Sequence, residues 1–345
     1  MSVRAMRGGA WLRGLLLLLV LALAAALAVG WNDYQRFSTS ALNVSPQQRS
    51  IDISRGTSFK GIVATLRQQR LTTASPWYWR LLAERMHVAG KLHAGEYALA
   101  PGITPRQLLA DMAAGRVLQR NFTIVDGWTF GELRRALAQA EVLQHDTAGL
   151  DDATIMQRIG AGGEAPEGRF LPETYAYVKG DSELDILRRA HAAMERTLAT
   201  LWPGRAPGLP LDTPYQALIL ASIVEKETGR ADERAKIAGV FVRRLENHML
   251  LQTDPSVIYG MGARYDGNIR RSDLAADTPY NTYTRPGLPP TPIALPGRPA
   301  IEAALHPAAG GALYFVARGD GSHVFSDTLA EHNRNVDCYQ RKRCR

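Results

Sequence analysis

The sequence predicts an α+β fold with three parts: a single N-terminal transmembrane helix, a small α+β module, and a mixed helical and β domain with a polar cleft. Three observations predict it. An uncharged, almost wholly apolar run extends from Gly14 to Trp31. Behind it, short strand patterns alternate with amphipathic helices that begin at capping residues. Further on, a strongly apolar helix ends in IVEKETG and is followed by two segments rich in polar and aromatic groups, LQTDPSVIYGMG and TPYNTY. Loops of that composition on an apolar scaffold tend to bind something.

The first run has about the length that a helix needs to cross a bilayer, and Trp11 and Trp31 stand where interface anchors do. Arg4, Arg7 and Arg13 precede it. Residues 1–13 are therefore expected in the cytoplasm, 14–31 in the inner membrane, and everything after Asn32 outside it. A cleavable signal peptide is the competing reading, with Ala24, Ala25 and Ala26 as small residues of the right kind. The length of the apolar run beyond those alanines favours an uncleaved anchor.

With 345 residues there is room for two extracytoplasmic domains with proper cores, expected over 32–118 (a linker and the small module) and 119–345. The formal charge is +8, yet residues 1–31 hold three arginines and no acid, and the tail Arg341, Lys342, Arg343 and Arg345 holds four more basic residues. Removing both leaves +1 for the folded body, which gives a nucleic-acid partner no basic face. The two cysteines, Cys338 and Cys344, both sit in that tail and can close a short loop at most. Without HExxH, a CxxC pair, a GxSxG elbow or a phosphate-cradling glycine loop, no metal site and no cofactor are expected.

IDISRGTSFKGIVATLRQQ reads as a strand, a turn at Gly56 and Thr57, and a helix burying Phe59, Ile62, Val63 and Leu66. A second helix carries Trp77, Trp79, Leu81 and Leu82, and a strand through Tyr97 leads by Pro101 and Gly102 to a third helix near Thr104. Trp77, Tyr78 and Trp79 suit sugar stacking, although aromatics at this spacing are more often core. NFTIVDGWTFGELRRALA repeats strand, turn at Asp126 and Gly127, and helix. RFLPETYAYVKG is an aromatic loop or short strand before a long helix from near Ser182, and this region is expected to wall the cleft.

The apolar helix opens at Thr213, with Pro214 in the first helical position and Gln216 three residues after the cap, and it is expected to close at Gly229. Projected at about 100° per residue, Glu227 falls within roughly 60° of Leu220, Ile223 and Val224, whereas Glu225 lies roughly 160° away beside Leu218 and Ser222. A carboxyl group held against apolar side chains resists ionisation, so Glu227 suits a general acid, and Glu225 is expected to pair with a cation or sit in water. The bland alternative is a structural helix whose charged last turn emerges into solvent. Against it stand the polar and aromatic groups that follow, Gln252, Thr253, Asp254, Tyr259, Tyr280, Asn281, Thr282 and Tyr283.

ADERAKIAGVFVRRLENHM reads as a helix capped by Asp232, in which Arg243 and Arg244 are available to a ligand carboxylate or solvated. From Thr278 to Pro299 seven of the nineteen prolines impose an irregular, rigid path. LYFVARGDGSHVFSDTLAEHN gives a hairpin turning at Gly319, Asp320 and Gly321, then a helix containing Glu331, His332 and Asn333.

ASIVEKETGRADERAKIAGVF, LQTDPSVIYGMG, TPYNTYTRPGLPPTPIALPG, AALHPA and HVFSDTLAEHN together resemble the MltG/YceG-like endolytic murein transglycosylases. The resemblance implies a membrane anchor, a LysM-like module in 32–118 and a periplasmic catalytic domain over 119–345 that cuts peptidoglycan glycan strands internally. It makes Glu227 the catalytic acid/base. Glu225, Gln252, Asp254, Tyr259, Asn281 and Tyr283 become substrate-binding candidates, and peptidoglycan synthases at the membrane become the implied partners. Thr291 and Leu295 depart from the family pattern, at positions associated with glycine and a small polar residue. Two other readings stay open. One is a hydrolytic muramidase with Asp254 as the base for water, and the other is a non-catalytic glycan-binding scaffold of the wall-synthesis machinery.

Overall fold

The computed structural model describes residues 8–344, so the flanking Arg4 and Arg7 lie outside the described residues. The chain divides into two units, Met1–Gln119 and Arg120–Arg345.

The first unit begins with α1 (Gly8–Thr39), of which Trp11–Thr39 is long and apolar enough to cross a membrane. Its apolar stretch is bare, with Leu16 63% and Leu18 65% exposed. Nothing in WNDYQRFST breaks a helix, so residues 32–39 continue α1 where a linker was expected. These last turns pack on the module: the Phe37 ring lies 5.2 Å from that of Trp79, and Tyr34 is buried.

The module follows as β1 (Ser50–Ile53), α2 (Phe59–Gln68), α3 (Pro76–Arg85), β2 (Gly95–Ala98) and α4 (Pro105–Ala113). Ser58 and Ser75 cap α2 and α3, and Thr104 with Gln107 forms a reciprocal capping box at α4. β1 and β2 pair antiparallel, setting Ile51 opposite Tyr97. Leu66, Trp79, Leu82, Tyr97 and Leu108 make the core. Trp79 is therefore structural, while Trp77 stays 61% exposed.

β3 (Gln119–Thr123) starts at the boundary and leads into the second unit, followed by α5 (Phe130–Leu137) and α6 (Asp152–Ile159), then β4 (Thr174–Val178), the partner of β3, and α7 (Glu183–Leu201). α6 has caps the sequence reading passed over: Asp151 accepts from the Thr154 N–H, and Gly160 ends the helix at φ 92°. Next come α8 (Pro214–Glu227), α9 (Arg234–Glu246), α10 (Asp254–Met261), α11 (Arg271–Ala275) and α12 (Arg298–Leu305). The hairpin β5 (Tyr314–Ala317) and β6 (His323–Ser326) leads to α13 (Leu329–Tyr339), and Cys338 is disulfide-bonded to Cys344.

α8 is buried on every side from Ala217 to Val224, as a helix without a polar face must be. α9 and α12 pack against it. Three details differ from expectation. α8 stops at Glu227, two residues before Gly229, with Thr228 extended as its cap. Asp232 does not cap α9: its carboxylate accepts from Arg230 at 2.9 Å, and Glu233 occupies the cap position without a side-chain cap bond. LQTDPSVIYGMG is partly helical, because Pro255 in the first turn of α10 suits a helix start.

Candidate active site

Glu227 is the last residue of α8, and the chain turns extended directly after it, so its carboxyl leaves the helix beside the segment that precedes α10. There the Thr253 hydroxyl donates to Glu227 Oε1. Thr253 is fixed in turn: its N–H donates to Thr282 Oγ1 at 3.0 Å, and Ser256 Oγ lies 2.9 Å from the same Thr282 hydroxyl. Thr253, Ser256 and Thr282 are all buried, so a chain of hydroxyls sets the orientation of the acid. Gln252, next to Thr253, is held at φ 49°, a left-handed conformation costly for a residue with a Cβ and a common mark of functional loops.

Burial pushes the Glu227 carboxyl up to about 7. The Thr253 hydrogen bond opposes that rise, the charge of Asp254 adds to it, and His323 and Arg244 moderate it. A carboxylic acid is thereby kept partly protonated at neutral pH.

A pocket of about 500 Å³ opens over Glu227, and it brings together three of the expected residues, Gln252, Asp254 and Tyr283. The Tyr283 hydroxyl donates to Asp254 Oδ1 at 2.6 Å. Burial and that carboxylate push the Tyr283 phenol well above its ordinary value, so it remains a donor.

The other expected residues are placed elsewhere. Glu225 faces away: its side chain is 5% exposed, accepts the Gly297 N–H at 3.0 Å and lies 3.7 Å from Arg234, so it has the expected cation but no sugar-facing surface. Gly297 suits this spot because a Cβ there would meet Asp126 Oδ1 at 2.3 Å. Asn281 is 1% exposed. It donates to the carbonyls of Asp273, Leu274 and Ala276 and accepts from the Tyr283 N–H, which organises the loop. Tyr259 lines a second pocket of about 1020 Å³, where its hydroxyl donates to Glu167 Oε2 at 3.1 Å. Glu167 is itself pushed up to about 7, chiefly by burial, although the Phe130 N–H and the Tyr259 hydroxyl both hydrogen-bond to it.

Thr291 and Leu295 also lie away from Glu227. Thr291 Oγ1 is 2.8 Å from the Tyr280 hydroxyl in the second pocket, and Leu295 is buried, its main chain bonded to Gly127 and Trp128. The region around α5 walls this second pocket.

Residues outside the expected substrate-binding set complete the Glu227 pocket. Arg244, expected to serve a ligand or solvent, is only 8% exposed. Its guanidinium donates to the carbonyls of Leu313 (2.7 Å), Leu250 (3.1 Å) and Leu251 (2.9 Å), fastening the segment before Gln252 to the hairpin. Arg243 likewise holds the Ala308 and Ala312 carbonyls. His323, on β6, reaches the pocket with Glu233 behind it. Among the described residues, one group has the spacing to ligate a metal, Glu164 with His191 and Glu195. The Arg169 guanidinium already lies 3.4 and 3.3 Å from its two carboxylates.

A protonated carboxyl on a rigid helix end, fixed by a hydroxyl chain within a polar pocket, is equipped for proton donation to a leaving oxygen. The chain is 29% identical over 309 residues to an endolytic murein transglycosylase of Bacillus subtilis, covering 84% of each chain. It is 25% identical over 353 residues to a protein of the same name from Streptococcus pneumoniae, covering 91% of this chain and 63% of that longer one. A crystal structure of a YceG-like protein from Listeria monocytogenes superimposes with a TM-score of 0.52 at 27% identity, covering 83% of this chain and 98% of the other. The model of the YceG-like family matches residues 51–338, and the chain belongs to that family.

Proposed function

We propose that the protein is a lytic transglycosylase that cuts peptidoglycan glycan strands internally, between N-acetylmuramic acid and N-acetylglucosamine, leaving 1,6-anhydromuramyl ends. The observation that carries this reading is the carboxyl of Glu227, raised to about 7 by burial and lining a polar pocket. The relatives named as endolytic murein transglycosylases support it.

In this scheme Glu227 gives its proton to the glycosidic oxygen as oxocarbenium character develops at the muramyl anomeric carbon. The muramyl 6-hydroxyl then closes onto that carbon, and its proton passes to a base, for which the ionised Glu227 is one candidate. Water is not consumed. Asp254, tied to Tyr283, and Gln252 position the sugar. The module within residues 32–118 acts as the LysM-like glycan-holding part. Residues 14–31 hold the chain in the inner membrane with its N-terminus in the cytoplasm, close to the synthases whose nascent strands it releases.

The pH dependence follows from the acid. The protonated form is the active one and its pKa lies near 7, so kcat/KM for glycan cleavage is expected to fall about tenfold per pH unit above that value. Rates on purified peptidoglycan from about pH 5 to about pH 9 check this. A flat profile across that range, or no cleavage at all, would remove Glu227 from the acid's role.

A further inference from the structure

The Glu227 pocket contains a second proton-carrying group that the scheme above leaves unused. His323 stands on β6, facing the start of α9. Its Nδ1 lies 2.7 Å from Glu233 Oε2, and its main-chain N–H donates to Glu233 Oε1 at 3.0 Å, so one carboxylate grips the residue by ring and backbone together. Glu233 is buried and His323 is half-buried, with 7% and 11% of their side chains exposed. Burial pushes the Glu233 carboxyl up, but the two bonds from His323 outweigh it and hold the group below its ordinary value, so it is an anion at neutral pH. The Glu233 carboxylate accepts at Nδ1, which leaves Nε2 as the other ring nitrogen of a side chain that lines the pocket. The Phe315 ring packs against the imidazole in a T-shaped pair, with centroids 5.4 Å apart. The other imidazole of the pocket, His332, is stacked on Tyr314 at 5.2 Å, and its Nδ1 has no hydrogen-bond partner among the described residues.

A carboxylate, an imidazole and a hydroxyl in that order activate the hydroxyl as a nucleophile, whichever fold presents them. Here the first two are built in, and the substrate brings the third. We propose that His323 is a second catalytic residue, the base that receives the proton of the muramyl 6-hydroxyl, with Glu233 as its positioning residue; the proposal rests on the transglycosylase reading. As the bond from O6 to C1 forms and the bond from C1 to the leaving O4 breaks, the O6 proton moves to His323 Nε2 and the Glu227 proton moves to O4. The imidazolium then returns its proton to the Glu227 carboxylate, directly or through pocket water. Both residues are restored, and no outside reactant enters. This division spares Glu227 from acting as acid and base on two different oxygens.

The test uses the full chain in detergent with purified peptidoglycan, comparing the parent with Glu227→Gln, His323→Ala, His323→Gln and Glu233→Gln. His323→Ala is expected to lower kcat by about 10²- to 10⁴-fold with KM nearly unchanged, and added imidazole should restore part of the rate there but not in Glu227→Gln. His323→Gln retains a donor for Glu233, so it should melt with the parent and still be inactive. Glu233→Gln should lose about 10- to 100-fold. A His323→Gln protein that cleaves at the parent rate would overturn the proposal alone, as would a loss in His323→Ala that imidazole cannot recover. A parent that forms no anhydro ends would overturn the underlying reading instead, and this proposal with it.

Discussion

Glu227→Gln is expected to abolish glycan cleavage, with a fall of at least about 10²- to 10⁴-fold, while leaving the fold intact. The amide is nearly the shape of the protonated acid and still accepts the Thr253 hydroxyl, so the hydroxyl chain through Thr282 and Ser256 survives. It has no acidic proton to give. A stability signature accompanies the loss. The folded-state pKa of Glu227 is about 7 against an ordinary 4.5, so the folded chain holds a proton that the unfolded chain releases. Stability therefore falls as pH rises between those values and stays lower above them, by up to about 3 kcal/mol from this group. Glutamine escapes that cost. The variant should melt near the parent at about pH 4 and above it at about pH 8. A variant that cleaves normally, or melts below the parent at the higher pH, contradicts this account of the site.

The largest stability effect is expected at Arg244. Its guanidinium satisfies three main-chain carbonyls from two segments, and it sits 5.1 Å over the Tyr314 ring. Arg244→Met fills much of the volume but leaves those buried acceptors unpaired, at about 1–3 kcal/mol for each that water cannot reach. A total on the order of 3 kcal/mol or more should appear as a lower urea midpoint. Activity should fall as well, because the Leu251 carbonyl anchors the turn that presents Gln252 and Thr253. Arg244→Lys should rescue little, since a point ammonium cannot span the carbonyls of Leu313 and Leu251 together. A midpoint unchanged from the parent would mean that the guanidinium is replaceable by solvent.

How much of this was legible in the chain depended on range. Signals that act over a few residues were readable: Thr104, Ser182 and Thr213, where helices were expected to open, all accept from an N–H of the helix they open. The apolar wheel around Leu220, Ile223 and Val224 correctly put Glu227 in an environment that resists ionisation. Asp232 misled because a local competitor, Arg230, took its carboxylate. Partners distant in sequence left no local trace. Glu167 meets Tyr259 from 92 positions away and Glu233 meets His323 from 90, and no periodicity encodes such meetings. Residue type in a loop also does not fix which way a side chain turns. Asn281 and Tyr283 are two positions apart, yet one points into the protein to hold three carbonyls and the other reaches the pocket.

The measurement that bears most directly on the central claim is digestion of peptidoglycan in heavy-oxygen water, with the new ends weighed by mass spectrometry for the parent and Glu227→Gln. The account predicts unlabelled 1,6-anhydromuramyl ends from the parent and none from the variant. Reducing ends that carry the heavy oxygen would contradict it, because they would make water the nucleophile and the enzyme a hydrolase.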